Sequence, residues 1–249
     1  MNQPLAKKIA LVTGGARGIG AAIALKLARD GADVIISYSS SAERAEAVVK
    51  EMKSFGVRAA AFKADQADSA QVVSLVKQAV EQFGKLDILV NNAGVLLAGS
   101  VSDPAVDLAA IQRAFAINVH GVATAVRAAV PLMNDGGRII NMGSGLGERS
   151  TWAGTSDYSA TKAAVNLYSR AWARDLAPRA ITVNVIQPGP IETEMNPDSG
   201  DFADMERALV PLGRFGKPEE IAAVVAFLAS PAASFVSGVA LNVDGGMSA

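Results

Sequence analysis

The 249-residue sequence contains no cysteine, which excludes disulfides and thiolate metal sites. It contains a single histidine, His120, on a stretch that reads as helix with no carboxylate partner in view, so a histidine-activated nucleophile is not expected. His120 is read instead as a packing or interface residue, and no metal is expected. An excess of charge is also missing: 23 Lys and Arg stand against 24 Asp and Glu, for a formal net charge of -1. No basic block or stripe appears, which argues against a nucleic-acid partner or an anionic membrane surface. No apolar run is expected to reach the length that spans a bilayer. Residues 1–8 (MNQPLAKK) lack the long apolar core of a signal peptide, so the cytoplasm is the expected location. There is no repeat, low-complexity tract or interdomain linker. Half of the residues are hydrophobic, enough for one sizeable core, and residues 1–249 are read as one domain.

What is present is an alternation of short β-branched runs with longer helical patterns, the signature of a parallel sheet with helical crossovers. Residues 8–13, 33–38, 57–63, 87–91, 138–142, 181–186 and 239–243 read as seven strands, and their continuous apolar character suits a sheet covered on both faces. Helices are expected over 18–30, 42–55, 69–83, 106–133, 156–177 and 218–229. Ser41 and Ser69 stand where N-caps belong, and Gly31 and Gly56 follow helix ends. The fold class is therefore α/β, a Rossmann-type doubly wound sheet. Residues 187–214 break the rhythm with Pro188, Pro190, Pro197 and Pro211. A loop this long inside a compact domain is usually functional. It follows the carboxyl end of a strand, where open α/β sheets bind ligands, so it is read as a substrate lid.

Directly after the first strand comes Thr13-Gly14-Gly15-Ala16-Arg17-Gly18-Ile19-Gly20, opening into a helix. Glycines let the backbone turn tightly against a pyrophosphate, and the helix N-terminus offers free N–H groups and a positive dipole end. The spacing is G-x-x-x-G-x-G, so the better-known G-x-G-x-x-G fingerprint applies only in its physics. Charge then points to the nucleotide. An NAD site places a carboxylate after the second strand to bond the ribose 2′-hydroxyl, but Ser37-Tyr38-Ser39-Ser40-Ser41 contains none. Hydroxyls there, with Arg17 and Arg44 as cations, suit a 2′-phosphate. Asp33 stands at the wrong end of its strand. NADP(H) is therefore favoured over NAD(H). Asn91-Asn92-Ala93-Gly94, after the fourth strand, either borders the cofactor or knits neighbouring strands together. Asp65 is a candidate acceptor for the adenine amino group or a turn cap, with Gln66 beside it as a further cofactor contact.

Tyr158 and Lys162 lie four apart in a helical segment and share a face. Tyrosine has a reference pKa of about 10. An ammonium about 5 Å away, at an effective dielectric near 20, favours the phenolate by roughly 3 kcal/mol, or about two pK units. Tyr38 and Tyr168 have no such partner. Ser144 ends the fifth strand in Gly143-Ser144-Gly145-Leu146-Gly147, where a hydroxyl can bond a substrate carbonyl and its developing alkoxide. Asn118 is placed to disturb its helix and hold a water, or to serve as a structural asparagine.

In order and spacing, Thr13–Gly20, Asn91–Gly94, Asn118, Ser144, Tyr158-Ser159-Ala160-Thr161-Lys162, Pro188-Gly189 and Val243-Asp244-Gly245-Gly246 resemble the short-chain dehydrogenase/reductase family over essentially the whole chain. The resemblance implies that Tyr158 is the acid–base, that Ser144 orients the carbonyl, and that Lys162 lowers the tyrosine pKa and binds the nicotinamide ribose. It implies that Asn118 holds a water in a proton relay to Lys162, and that Pro188, Gly189, Ile191 and Thr193 touch the nicotinamide. It also implies a small carbonyl or alcohol substrate and a homotetramer or homodimer, through the helices at 106–133 and 156–177 and through the last strand. The nearest likeness is to 3-oxoacyl-[acyl-carrier-protein] reductases, with two departures. Residues 131–136 (PLMNDG) lack the basic patch where an acidic carrier protein docks. The Ser144–Tyr158 spacing is one residue longer, so 148–152 reshape a pocket wall. Gly145, Leu146, Trp152 and Met195 are the expected substrate contacts beside Ser144. A reductase of simple ketones is the leading expectation, a 3-oxoacyl reductase the alternative, and a catalytically silent nucleotide sensor the third.

Overall fold

Strands β1 (Ile9–Val12), β2 (Asp33–Tyr38), β3 (Ala59–Lys63), β4 (Leu86–Asn91), β5 (Met133–Met142), β6 (Thr182–Pro188) and β7 (Ala240–Val243) form one parallel sheet in the computed structural model, which describes residues 3–249. The order is β3-β2-β1-β4-β5-β6-β7. Side chains alternate across each strand, and both sides are apolar because both faces are covered. Thus Val34, Ile36, Ile88, Val90 and Ile140 enter one core cluster, while Ile35, Leu89 and Ile139 enter the other. Helices α1 (Gly18–Arg29) and α8 (Pro218–Ala229) contribute Ile23, Leu27, Ile221 and Val225 to the first cluster. Helices α3 (Ser69–Phe83), α5 (Val122–Ala129) and α6 (Ser156–Asp175) contribute Leu75, Val126 and Trp172 to the second. Helix α2 (Ala42–Ser54) lies beside α1, with Met52 in the first cluster. Strand order reverses between β1 and β4, so the crevice at their carboxyl ends is the place for a ligand.

Several expectations are corrected. The helix expected over 106–133 is a composite: α4 (Leu108–Phe115), a π-helical turn Ala116–Gly121, α5, and a 3₁₀ turn Val130–Leu132. Asp107 caps its start by accepting from the Ala109 and Ala110 amides. A Cβ at Gly121 would overlap the Gln66 carbonyl, so this residue lets the widened turn press against a neighbouring loop. The run Leu108–Leu132 is, contrary to expectation, long and apolar enough by composition to cross a membrane, the one such helical run among the described residues. Half of its apolar window is buried inside the fold, as befits a core helix. Ser69 is not an N-cap: Asp68 is, accepting from Ala70 and Gln71, and Ser41 occupies the cap position without a side-chain bond. Strand β5 begins at Met133 rather than 138, through a bulge in which Leu86 pairs with Met133 and Ile88 already with Arg138. Gln187 and Pro188 belong to β6, so the lid segment starts at Gly189 and carries one helix, α7 (Asp201–Ala208).

Candidate active site

The glycine loop is held open by its neighbours. Gly14 and Gly18 take the left-handed backbone at φ 65° and 53°, where a side chain would be strained. The Gly14 amide donates to Ser37 Oγ at 3.1 Å, and Asn92 Nδ2 donates to the carbonyls of Thr13 and Gly14 at 3.0 and 3.1 Å. Thr13 Oγ1 in turn accepts from the amides of Asn92 and Ala93. Helix α1 starts here with Arg17 in the N-cap position and no side-chain cap. Its first amides therefore face the crevice unoccupied by protein, the arrangement that receives phosphate oxygens. A Cβ at Gly20 would overlap both Gly14 O and Asn92 Nδ2. Gly20→Ala should therefore weaken NADPH binding at least tenfold, about 1.4 kcal/mol or more, as read by fluorescence titration. Unchanged affinity would mean that this loop does not carry the pyrophosphate.

A cavity of about 710 Å³ runs from Gly14, Arg17, Gly18, Ile19 and Gly20, past Ala93 and Gly94, to Ser144, Tyr158 and Lys162. Lys162 is buried and donates to the Met142 carbonyl at 2.9 Å. Its Nζ lies 5.6 Å from the centre of the Tyr158 ring, so the four-residue spacing does bring the pair together. Burial lowers the Lys162 pKa from 10.5 to about 8. Burial raises the Tyr158 pKa, and its hydrogen bond with Ser144 only partly opposes this. The expected depression of the tyrosine is thus reversed within the protein itself. Desolvation of the phenol sets the sign, and burial also discourages the charge on Lys162. Ser144 Oγ also accepts from the Leu146 amide, which fixes the hydroxyl at the carboxyl end of β5.

Asn118 lies behind this cluster. Its Oδ1 accepts from Val95 N at 2.9 Å, and its Nδ2 donates to Val95 O at 2.9 Å and Thr161 Oγ1 at 3.2 Å. Both amide protons are therefore committed to bracing the strand-exit loop against α6. Asn91 is likewise a brace and not a cavity residue: its Nδ2 donates to Asn141 Oδ1, and Asn141 Nδ2 donates to Ser169 Oγ, tying β4 and β5 to α6. Its neighbour Asn92, on the opposite side of the strand end, borders the cavity in its place.

Of the other cofactor candidates, Pro188, Gly189, Ile191 and Thr193 line the cavity, whereas Ala16 is packed under the glycine loop. Tyr38, Ser39 and Ser40 stand at the end of β2, outside the cavity wall, with Tyr38 packed against the core. Asp65 accepts from the Ala67 amide, which holds its pKa below the ordinary carboxylate value, and pairs with Arg113 at 3.0 Å. It is a turn cap, and Gln66 beside it is buried with no partner for its side-chain amide. All five expected substrate contacts, Ser144, Gly145, Leu146, Trp152 and Met195, line the cavity. They are joined by Leu96, Phe202, Met205 and Met247, which carry no motif and reach the site only through the fold. Trp152 and Phe202 approach with ring centroids 5.8 Å apart and planes tilted by 42°.

Arg17 and Arg44 do converge, as a 2′-phosphate site requires, but on a carboxylate of the lid. Glu194 pairs with Arg44 at 2.7 Å and with Arg17 at 3.2 Å. Residues 37–41 carry no acid, as read from the sequence, but Asp33 is not the only acid to consider, because the lid supplies Glu194.

The uncapped helix, the glycine cradle and the two arginines fit a phosphorylated dinucleotide. A family model described as enoyl-(acyl carrier protein) reductase matches residues 14–248. The chain is 42% identical to the cyclic-di-GMP-binding biofilm dispersal mediator protein of Escherichia coli, over 97% of this chain and 98% of that one. It is 40% identical to a 3-oxoacyl-[acyl-carrier-protein] reductase of Staphylococcus aureus, over 96% and 98%. Among solved structures, a short-chain dehydrogenase/reductase from Serratia marcescens superposes with a TM-score of 0.97 at 50% identity, over 99% of this chain and 100% of that one. A short-chain dehydrogenase from Burkholderia cenocepacia in complex with NADP superposes at 0.96 with 48% identity and the same coverage. Matched by that family model over residues 14–248 and 50% identical to such a neighbour over 99% of its length, the chain belongs to the short-chain dehydrogenase/reductase family of oxidoreductases.

Proposed function

We propose that the protein reduces a ketone to a secondary alcohol with NADPH, or runs the reverse reaction, with Tyr158 as the proton donor. The observation that carries this reading is the meeting of Ser144, Tyr158 and Lys162 in one cavity that continues to the glycine loop. The glycine loop, the first turn of α1 and Pro188–Thr193 would hold the nucleotide, and NADPH when bound supplies the hydride. Ser144 donates a hydrogen bond to the substrate carbonyl and orients it. Tyr158 passes its proton to the oxygen as the carbonyl carbon becomes saturated, leaving a phenolate that a charged Lys162 stabilises. The raised tyrosine pKa keeps that proton in place at neutral pH. The arginines at 17 and 44, with no acid in 37–41, favour NADP(H) over NAD(H).

Residues 189–214 act as the substrate lid in this reading, since Ile191, Thr193, Met195, Phe202 and Met205 form one wall of the cavity. Together with Leu96 and Trp152 they make that wall apolar, which suits an uncharged ketone carrying a bulky apolar or aromatic group. Residues 131–136 carry no basic side chain, and Asp135 among them is paired with Arg179, which favours a simple ketone over an acyl-carrier thioester. Self-association is supported by Leu167 on α6 and by Phe235 before the edge strand β7, both strongly exposed.

The test is a panel of aryl ketones, small ketones and 3-oxoacyl thioesters followed by NADPH consumption. Aryl ketones should turn over with the highest kcat/KM. Trp152→Ala should raise KM for them about tenfold and leave small ketones unaffected. Turnover of thioesters alone would replace this reading with the 3-oxoacyl reductase, and no turnover with any carbonyl would replace it with a nucleotide sensor.

A further inference from the structure

We propose that Glu194 is a built-in competitor for the 2′-phosphate of the cofactor, and so a residue that sets how strongly the site discriminates NADPH from NADH. The inference rests on the NADPH reading above and deepens it.

Glu194 is separated from Arg17 by 177 residues and from Arg44 by 150, so the contact is made only by the folded lid. Arg44 Nη1 donates to both carboxylate oxygens at 2.7 Å, and Arg17 Nη1 donates to Oε2 at 3.2 Å. One carboxylate therefore bridges the cation of the glycine loop and the cation of the first turn of α2. These are the two charges that the end of β2 offers to a phosphate. The lid presents Glu194 on a tight turn, in which Thr193 and Asn196 exchange backbone hydrogen bonds at 3.1 Å. Asn196 Nδ2 also donates to Glu206 on α7 at 2.9 Å, which anchors the turn to the lid helix. The position of the carboxylate is thus fixed by the lid.

All three side chains remain half-exposed, at 52–57%. Pairs of this kind are weak in water, so a 2′-phosphate, with more charge and three acceptor oxygens, can displace the carboxylate. It must nonetheless displace it or share the guanidiniums at the expense of like-charge repulsion. A nucleotide ending in a 2′-hydroxyl meets no such opposition. Glu194 thereby lowers the affinity for the phosphorylated cofactor selectively.

The test measures Kd by calorimetry for 2′,5′-ADP, 5′-ADP, NADPH and NADH with the unmodified protein, Glu194→Gln and Glu43→Gln. Glu43 lies in the same first turn of α2 but makes no ion pair with either arginine among the described residues. Its variant controls for net charge. Glu194→Gln should tighten 2′,5′-ADP and NADPH about threefold to tenfold, leaving 5′-ADP and NADH unchanged. Glu43→Gln should move none of them by as much. Equal tightening of all four ligands, tightening by both variants alike, or weaker 2′,5′-ADP binding in Glu194→Gln would each overturn the proposal. If the unmodified protein prefers 2′,5′-ADP and Glu194→Gln changes nothing, this inference fails alone. If no variant prefers 2′,5′-ADP over 5′-ADP, the NADPH reading fails with it.

Discussion

Replacing Tyr158 by phenylalanine should lower kcat for carbonyl reduction by roughly 10²- to 10⁴-fold and leave NADPH affinity essentially unchanged. The substitution removes one hydroxyl and keeps the ring that lies 5.6 Å from Lys162 Nζ, so the cavity wall is retained. No other phenol can substitute. The sequence holds three tyrosines; Tyr38 packs at the end of β2, and Tyr168 stacks on Trp172 at 4.9 Å on another face of α6. Ser144 remains in the variant and can still orient the carbonyl, but it has no base to relay a proton through it. The deficit should therefore fall on kcat, with KM moving little. Stopped-flow NADPH oxidation under saturating ketone measures it directly. A variant that keeps more than a tenth of the turnover would remove Tyr158 from the proton step.

Much of this architecture is legible in the chain itself, and the reasons for success and failure are physical. The strands and the glycine loop are local patterns: continuous apolar runs such as Ile35 and Ile36, then glycines that open a helix. The Tyr158–Lys162 pair follows from helical spacing alone. Asn91 and Asn92 show where local reading ends. Successive residues at a strand end face opposite ways, and only the sheet register sends Asn91 to Asn141 and Asn92 to the glycine loop. Glu194 was beyond reach because nothing local ties it to arginines 150 and 177 positions away. The π-helical turn was hidden for a related reason. Within it Gly121 closely approaches Gln66, a contact between distant segments. The sign of the tyrosine shift was missed because a pairwise Coulomb estimate omits the desolvation of both partners.

That desolvation gives Lys162 an energetic signature separate from its chemistry. Burial depresses its pKa from 10.5 to about 8, so the folded protein gives up this proton more readily than the unfolded chain. Between these values the unfolded state binds more protons, and stability contributed by this group rises with pH. The destabilisation is fully present below about pH 8 and gone above the unfolded value. At 1.36 kcal/mol per pK unit it amounts to about 3 kcal/mol. Methionine has similar length and no charge. Lys162→Met should relieve that cost while losing the hydrogen bond to the Met142 carbonyl, worth about 1 kcal/mol. The nucleotide-free variant should therefore be more stable than the unmodified protein by about 2 kcal/mol at pH 7. The advantage should shrink as pH rises and vanish near pH 10. Urea unfolding at pH 7 and at pH 10 checks both the sign and the trend. In the same variant kcat should fall at least 10²-fold, because no cation then stabilises the phenolate left by proton transfer. Stability and turnover moving in opposite directions would mark Lys162 as a residue kept against the interest of the fold. A variant less stable at pH 7 would show instead that the lysine is held by its surroundings as a favourable charge.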